Sequence, residues 1–108
     1  MCEASNLSAV IEFEKVPLLN KAAMDYYLAE KCIPGGTIRN FDSYGHKIEQ
    51  LSDYQRNILC DPQTSGGLLV AVKQSKVADF KNILRGYDLD LEPIGHFVKQ
   101  QDKLVSVV

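Results

Sequence analysis

A chain of 108 residues with 45% apolar and 24% charged side chains has the size and composition of one globular domain. Its 12 basic and 14 acidic residues leave a net charge of −2 with no basic stripe, which argues against nucleic-acid binding. No apolar run is long enough to cross a bilayer, and the first residues lack the order of a signal peptide. We therefore expect a cytoplasmic protein with no membrane partner.

The cysteines favour reduced thiols over a disulfide framework. Cys2, Cys32 and Cys60 are odd in number, widely separated and without a CxxC pair. A zinc site would also require His46 and His96, yet none of these residues has the close spacing of known zinc modules. We predict no metal site in this chain, and Cys60 is more typical of a small core residue than of a nucleophile.

The first elements are a helix end, a strand and a helix. Residues 1–4 resemble the last turn of a helix, which residues 5–6 terminate. Residues 8–13 alternate in the manner of a strand. Asn20 is a suitable N-cap for a helix that runs to about Lys31.

The middle of the chain contains a breaker, a loop and a short helix. Residues 33–36 (IPGG) should end the preceding helix, and residues 37–45 have no clear period, which predicts an ordered loop packed by its aromatic side chains. Ser52 and Gln55 have the spacing of a capping box, so a helix is predicted from there to about Leu59.

Residues 61–67 (DPQTSGG) form a dense loop motif, followed by the apolar run 68–72 (LLVAV), which predicts a buried strand. The two glycines allow backbone angles that are closed to other residues. Consecutive backbone N–H groups, with the hydroxyls of Thr64 and Ser65, could bind an anion. The motif is not a P-loop, because it lacks the lysine and the following helix. From the residues alone, a tight structural turn is favoured over a phosphate cradle.

The C-terminal third predicts a helix and two strands. Ser75 can cap a helix that stops at Gly86. Residues 93–98 and 104–108 are apolar, and the polar residues 99–103 between them predict a hairpin. The order of elements along the chain predicts an α+β fold, in which helices pack on one face of a mixed or antiparallel sheet.

One segment also carries a family resemblance. Residues 59–69 (LCDPQTSGGLL) closely resemble the corresponding element of the selenide, water dikinase family, also called selenophosphate synthetases. The resemblance extends in the same order over essentially the whole chain, through residues 1–5 (MCEAS), 33–37 (IPGGT), 39–41 (RNF), 44–45 (YG) and 93–95 (PIG).

This resemblance implies a two-domain enzyme that makes selenophosphate from selenide, ATP and water. AMP and orthophosphate are the other products, Mg²⁺ is the cofactor, and the intact enzyme is typically a homodimer. Residues 1–108 would be a single domain, forming most of a C-terminal domain of the aminoimidazole-ribonucleotide-synthetase type.

The same resemblance implies that the catalytic parts lie elsewhere. In that family the catalytic cysteine or selenocysteine, its lysine and the metal-binding aspartates come before the region matched here. None of the three cysteines matches the catalytic position. We therefore expect no catalytic residue and no metal ligand in this chain, whose N-terminal ATP- and metal-binding domain would be absent. The chain alone should be inactive and bind neither ATP nor Mg²⁺.

Six residues remain candidates for contacting substrate or phosphate in the intact enzyme: Arg39, Asn40, Thr64, Ser65, Gly66 and Gly67. An equally weighted interpretation is that Arg39 ties down its own loop and the double glycines shape turns.

Two other functions stay open at this point. The chain could be a free-standing small-ligand-binding or regulatory α+β module, or, less consistent with the residues, a hydrolase that uses Cys60.

Overall fold

The structure, a computed structural model, describes all residues from Met1 to Val108. It divides into a first unit, residues 1–63 and 94–108, and a second unit, residues 64–93. The predicted α+β class with a mixed sheet is confirmed. The elements are α1 (Cys2–Ser5), β1 (Leu7–Ile11), α2 (Lys21–Ala29), α3 (Gly35–Tyr44), α4 (Asp53–Leu59), α5 (Val77–Arg85), β2 (Gly95–Lys99) and β3 (Val105–Val107). None of the helices combines the length and apolar character that a membrane span requires.

The sheet of the first unit has the strand order β2-β1-β3. β2 runs antiparallel to β1, with Leu7 opposite Lys99, whereas β3 runs parallel to it, with Ala9 opposite Val105. Gly95 of β2 lies opposite Ile11 at the end of β1. A Cβ atom at this position would collide with the carbonyl oxygen of Val10. The close approach of these two strands therefore requires glycine at this position.

The predicted hairpin of residues 93–98 and 104–108 is wrong, because β1 lies between β2 and β3. The residues between β2 and β3 do not form a hairpin turn, because main-chain polar groups of this linker bond to a side chain of β1. The buried Ser8 Oγ donates to the carbonyl oxygen of Lys103 and accepts from the N–H of Gln101, both at 2.9 Å. The polar linker thus passes β1 instead of reversing the chain beside β2.

Helix α2 confirms the predicted N-cap but ends earlier than predicted. The Asn20 side chain accepts a hydrogen bond from the N–H of Ala23 at 2.9 Å. The helix ends at Ala29, two residues before the predicted Lys31. Lys31 has a φ of 58°, which is incompatible with a continuing right-handed helix.

The predicted loop at residues 37–45 is wrong, because α3 extends from Gly35 to Tyr44. Pro34 is its N-cap and has the extended backbone that suits a helix entry. The ring of Phe41 lies 5.6 Å from the guanidinium carbon of Arg56 on α4. Packing against α4 thus stabilises a segment whose glycines and irregular pattern do not favour a helix.

Helix α4 begins with the capping box that its sequence predicts. Ser52 Oγ accepts from the N–H of Gln55, and the Gln55 side chain accepts from the N–H of Ser52. The helix ends at Leu59, as predicted, shortly before Pro62, which disfavours the helical region at Asp61.

The second unit contains α5 and no strand. A 3-10 turn at Gln74–Lys76 precedes the helix, so Lys76 and not the predicted Ser75 is the N-cap, whereas the predicted stop at Gly86 is confirmed. The strand predicted at residues 68–72 is absent. An apolar run favours a strand, but a strand requires a neighbour, and the backbone of residues 64–72 forms no hydrogen bond.

A polar cluster joins α2 to α4 in the first unit. The hydroxyl of Tyr54 donates to Asp25 Oδ1 at 2.6 Å, and the ammonium of Lys21 donates to Asp25 Oδ2 at 2.7 Å. The hydrogen bond from Lys21, followed by that from Tyr54, lowers the pKa of the Asp25 carboxyl. Asp25 in turn raises the pKa of Tyr54. The ionised carboxylate is therefore the form that holds the two helices together.

This cluster predicts a specific loss of stability in acid. Because the pKa of Asp25 in the folded chain lies below its ordinary value of 3.8, its stabilisation is complete above that value. It is lost as the pH falls through the lower folded pKa. Between about pH 6 and about pH 3, the melting temperature of the wild-type chain should fall more than that of Asp25→Asn.

The matched control is Asp42→Asn, which removes an exposed carboxylate on α3. Thermal unfolding followed by circular dichroism should give this variant the wild-type pH dependence. If the melting temperatures of the wild type and of Asp25→Asn depended on pH in the same way, the cluster would not stabilise the folded chain.

Candidate functional site

Helix α3 contacts the chain that follows α4, and we call this contact the α3–α4 junction: Gly36 and Asn40 on α3 with Cys60 and Pro62. The Asn40 side-chain amide donates to the carbonyl oxygen of Cys60 at 2.9 Å. Gly36, one turn earlier, packs so closely that a Cβ atom there would lie 2.7 Å from Pro62 Cγ. Asn40 therefore satisfies a carbonyl at the end of α4, and Gly36 gives Pro62 the space to pack.

Arg39 lies beside the junction with its side chain exposed. Its carbonyl oxygen accepts a hydrogen bond from Ser43 Oγ within α3, whereas the guanidinium forms no hydrogen bond or ion pair. The side chain does not tie down its own segment, which is held as a helix by its backbone. Arg39 is thus a positive charge available to an anion from outside the chain.

The other candidate residues belong to the second unit, at its start. Thr64, Ser65, Gly66 and Gly67 are all exposed and lie in neither a helix nor a strand. No glycine in the chain has a positive φ, and a Cβ atom on Gly67 would meet nothing within 4 Å. The two glycines therefore do not use the positive-φ angles that they allow. Their hydroxyl and N–H groups remain free to donate to a ligand.

Thr37 is a polar residue that the sequence did not single out by itself. It is fully buried in the first turn of α3, and its Oγ1 has no hydrogen-bond partner. A buried hydroxyl without a partner costs about 1–3 kcal/mol. The only signal in the sequence is its place in the IPGGT motif.

Cys60 has the environment of a structural thiol. Burial raises the pKa of its thiol, and the nearby Arg56 opposes that effect less strongly. The thiolate is the reactive form of cysteine, so a raised pKa argues against a nucleophilic role. The environment of Cys60 therefore favours a structural role over the hydrolase alternative.

No group of three or more His, Cys, Asp or Glu side chains could hold a metal ion. A cavity of about 410 Å³ lies in the first unit, and its lining includes Phe13, Leu18, Lys21 and Tyr54. Arg39 and Asn40 do not line it. Within the first unit, these two candidates and the cavity are therefore separate features.

The two glycines at the start of α3 provide a matched test of the junction. Gly36→Ala places a Cβ atom 2.7 Å from the rigid ring of Pro62 and should destabilise the chain by about 1–3 kcal/mol. Gly35→Ala, where nothing lies within 4 Å, should be neutral or slightly stabilising. Urea unfolding measures both. Equal effects of the two substitutions would contradict close packing between Gly36 and Pro62.

Comparison with known proteins gives a consistent result. The family model described as "AIR synthase related protein, C-terminal domain" matches residues 1–107. Proteins named selenide, water dikinase from Sulfurimonas denitrificans and Pseudomonas putida are 53% and 52% identical over 108 residues. One from Aeromonas hydrophila is 56% identical over 109 residues. Each alignment covers all of this chain and 31% of the relative, so the chain spans about a third of these relatives' length.

The resemblance of the sequence to selenide, water dikinases is thereby confirmed over the whole chain. The AIR-synthase-type C-terminal fold expected from that resemblance is confirmed as well. The chain belongs to the AIR synthase related proteins, and it matches the C-terminal domain of that family.

Proposed function

We propose that this chain is the C-terminal part of a selenide, water dikinase, which makes selenophosphate from selenide, ATP and water with release of AMP and phosphate. The observation that carries the proposal is 53% identity, over the full length of this chain, to a protein of that name. The homodimer, the use of Mg²⁺ and the cytoplasmic location are further parts of the proposal. A free-standing regulatory module is less well supported, because the relatives matched over the whole chain bear the dikinase name.

No group of three or more His, Cys, Asp or Glu side chains that could hold a metal ion comes together in this chain. Phosphoryl transfer requires cations positioned around the phosphate groups. We therefore assign the metal and the chemical step to the remainder of the protein, and a supporting role to this chain.

The hydrogen bonds of Arg39 and Asn40 favour different roles for these two neighbouring residues. One N–H of the Asn40 amide is already used by the carbonyl oxygen of Cys60, so this residue positions the α3–α4 junction. The guanidinium of Arg39 has no partner in the chain and is suited to a phosphate oxygen or another substrate anion.

The exposed residues 64–67 of the second unit provide a second set of unpaired hydrogen-bond donors. The hydroxyls of Thr64 and Ser65, together with the backbone N–H groups through Gly67, form no hydrogen bonds within the chain. We propose that they donate to phosphate or substrate in the complete protein, while Gly66 and Gly67 leave the backbone accessible.

The chain by itself should have no dikinase activity. Purified at the length described here, it should neither hydrolyse ATP with Mg²⁺ nor form selenophosphate, because phosphoryl transfer requires cations around the phosphate groups and no group of three or more His, Cys, Asp or Glu side chains comes together here to hold a metal ion. Phosphorus NMR of a reaction with ATP, Mg²⁺ and selenide measures both products. Metal-dependent ATP turnover that disappears in Arg39→Ala would show that the chain is catalytically competent alone.

Arg39 is tested in the complete enzyme. Joined to the remaining part of the Sulfurimonas denitrificans relative, the chain with Arg39→Ala should lose about tenfold to a hundredfold in kcat/KM, the range expected for a charged hydrogen bond. Asn40→Ala should mainly lower the melting temperature. Lys99→Ala, which removes an exposed cation on β2, is the matched control. If Arg39→Ala and Lys99→Ala had the same activity, Arg39 would have no role in binding substrate.

A further inference from the structure

The cavity of about 410 Å³ in the first unit lies where three elements meet. Its lining comes from a 3-10 turn at Phe13–Lys15 with the residues that follow it, from the start of α2 and from the start of α4. Phe13, Val16 and Leu18 give it apolar walls, and the ring of Tyr54 meets that of Phe13 edge to face at 5.8 Å. Apolar walls with a few polar groups in a cavity of this size are typical of a small-molecule site.

Three polar side chains in the lining have unused hydrogen-bonding capacity. The carboxylate of Glu14 forms no hydrogen bond or ion pair. The side-chain oxygen of Gln55 is used by the capping box of α4, whereas its two amide N–H groups have no partner. Lys21 donates to Asp25 at 2.7 Å and to the hydroxyl of Tyr54 at 3.3 Å, which leaves one N–H of its ammonium. The cavity thus offers an anionic acceptor together with cationic and neutral donors.

We propose that this cavity binds a free amino acid with a large apolar side chain. The Glu14 carboxylate accepts from the α-ammonium group, and Lys21 and Gln55 donate to the α-carboxylate. A ligand with a single charge leaves either Glu14 or the donors without a partner, whereas a zwitterion satisfies both. The apolar walls cover the side chain of the ligand. This binding is independent of the dikinase reaction.

The lining is held in place by contacts within the chain. Asp25 fixes both Lys21 and Tyr54, and the ammonium of Lys21 lies 5.4 Å from the centre of the Tyr54 ring. On the opposite wall, the N–H of Phe13 donates to the carbonyl oxygen of Val108 at 2.8 Å. Because these groups are ordered before a ligand binds, binding costs little additional ordering of the protein.

Calorimetric titration with L-phenylalanine tests the ligand class. We expect saturable binding to the 108-residue chain with a Kd on the order of 1 mM or lower. N-acetyl-L-phenylalanine lacks the ammonium and L-phenylalanine amide lacks the carboxylate, so each should bind at least about tenfold more weakly. Glycine, which has no side chain for the apolar walls, should also bind at least about tenfold more weakly. Equal binding of all four compounds would overturn the proposal.

Two substitutions locate the site at this cavity. Glu14→Gln removes the charge that pairs with the ammonium, and Gln55→Glu keeps the capping-box oxygen but places a carboxylate beside that of the ligand. Each should weaken phenylalanine binding at least about tenfold. Glu30→Gln, which removes an exposed carboxylate after α2, is the matched control and should bind as the wild type does. Equal affinities of Glu14→Gln and Glu30→Gln would overturn the proposal.

Folding and coverage of the site are checked separately. Because Glu14 has no partner in the chain, Glu14→Gln should keep the wild-type melting temperature, so its weaker binding does not reflect unfolding. The titration is repeated with a chimera in which this chain replaces the matched region of the Sulfurimonas denitrificans relative. Binding by the chimera that Glu14→Gln weakens would support the proposal. Absence of binding by the chimera would overturn it, whether or not the 108-residue chain binds.

Discussion

Strand β1 is the element on which the first unit depends, because it forms the main-chain hydrogen bonds to both other strands. It joins an antiparallel neighbour on one side to a parallel neighbour on the other. Ser8 extends this role through its side chain, which holds the linker between β2 and β3. Because a buried hydroxyl requires hydrogen-bond partners, these two bonds stabilise the path of the linker across β1.

The α3–α4 junction shows how packing and function separate along one helix. Gly36 and Asn40, four residues apart, face the chain that follows α4 and are used by the fold. Arg39 projects from a different position on the same helix and keeps an unpaired charge. Because a helix places successive residues about 100° apart, adjacent residues of one motif can have unrelated roles. The motif Arg39-Asn40 is thus divided between proposed ligand contact and structure.

The second unit differs from the first in what stabilises it. Its helix α5 is amphipathic, with Val77, Phe80 and Leu84 partly covered, whereas the backbone of residues 64–72 forms no hydrogen bond. The apolar character of residues 68–72 favours a strand, but local propensity alone does not form one.

Local chemistry is what the sequence by itself determined. The N-cap at Asn20 and the capping box at Ser52 depend on neighbouring residues only, and the resemblance carried by residues 59–69 was sufficient to indicate the family. Tertiary contacts decided the helix at Gly35–Tyr44, the insertion of β1 between β2 and β3, and the absence of a strand at residues 68–72. Each of these depends on a partner distant in sequence, which periodicity and turn chemistry do not encode. The candidate site follows the same division: its residues were named from motifs, but only the fold distinguished the unpaired Arg39 from the bonded Asn40.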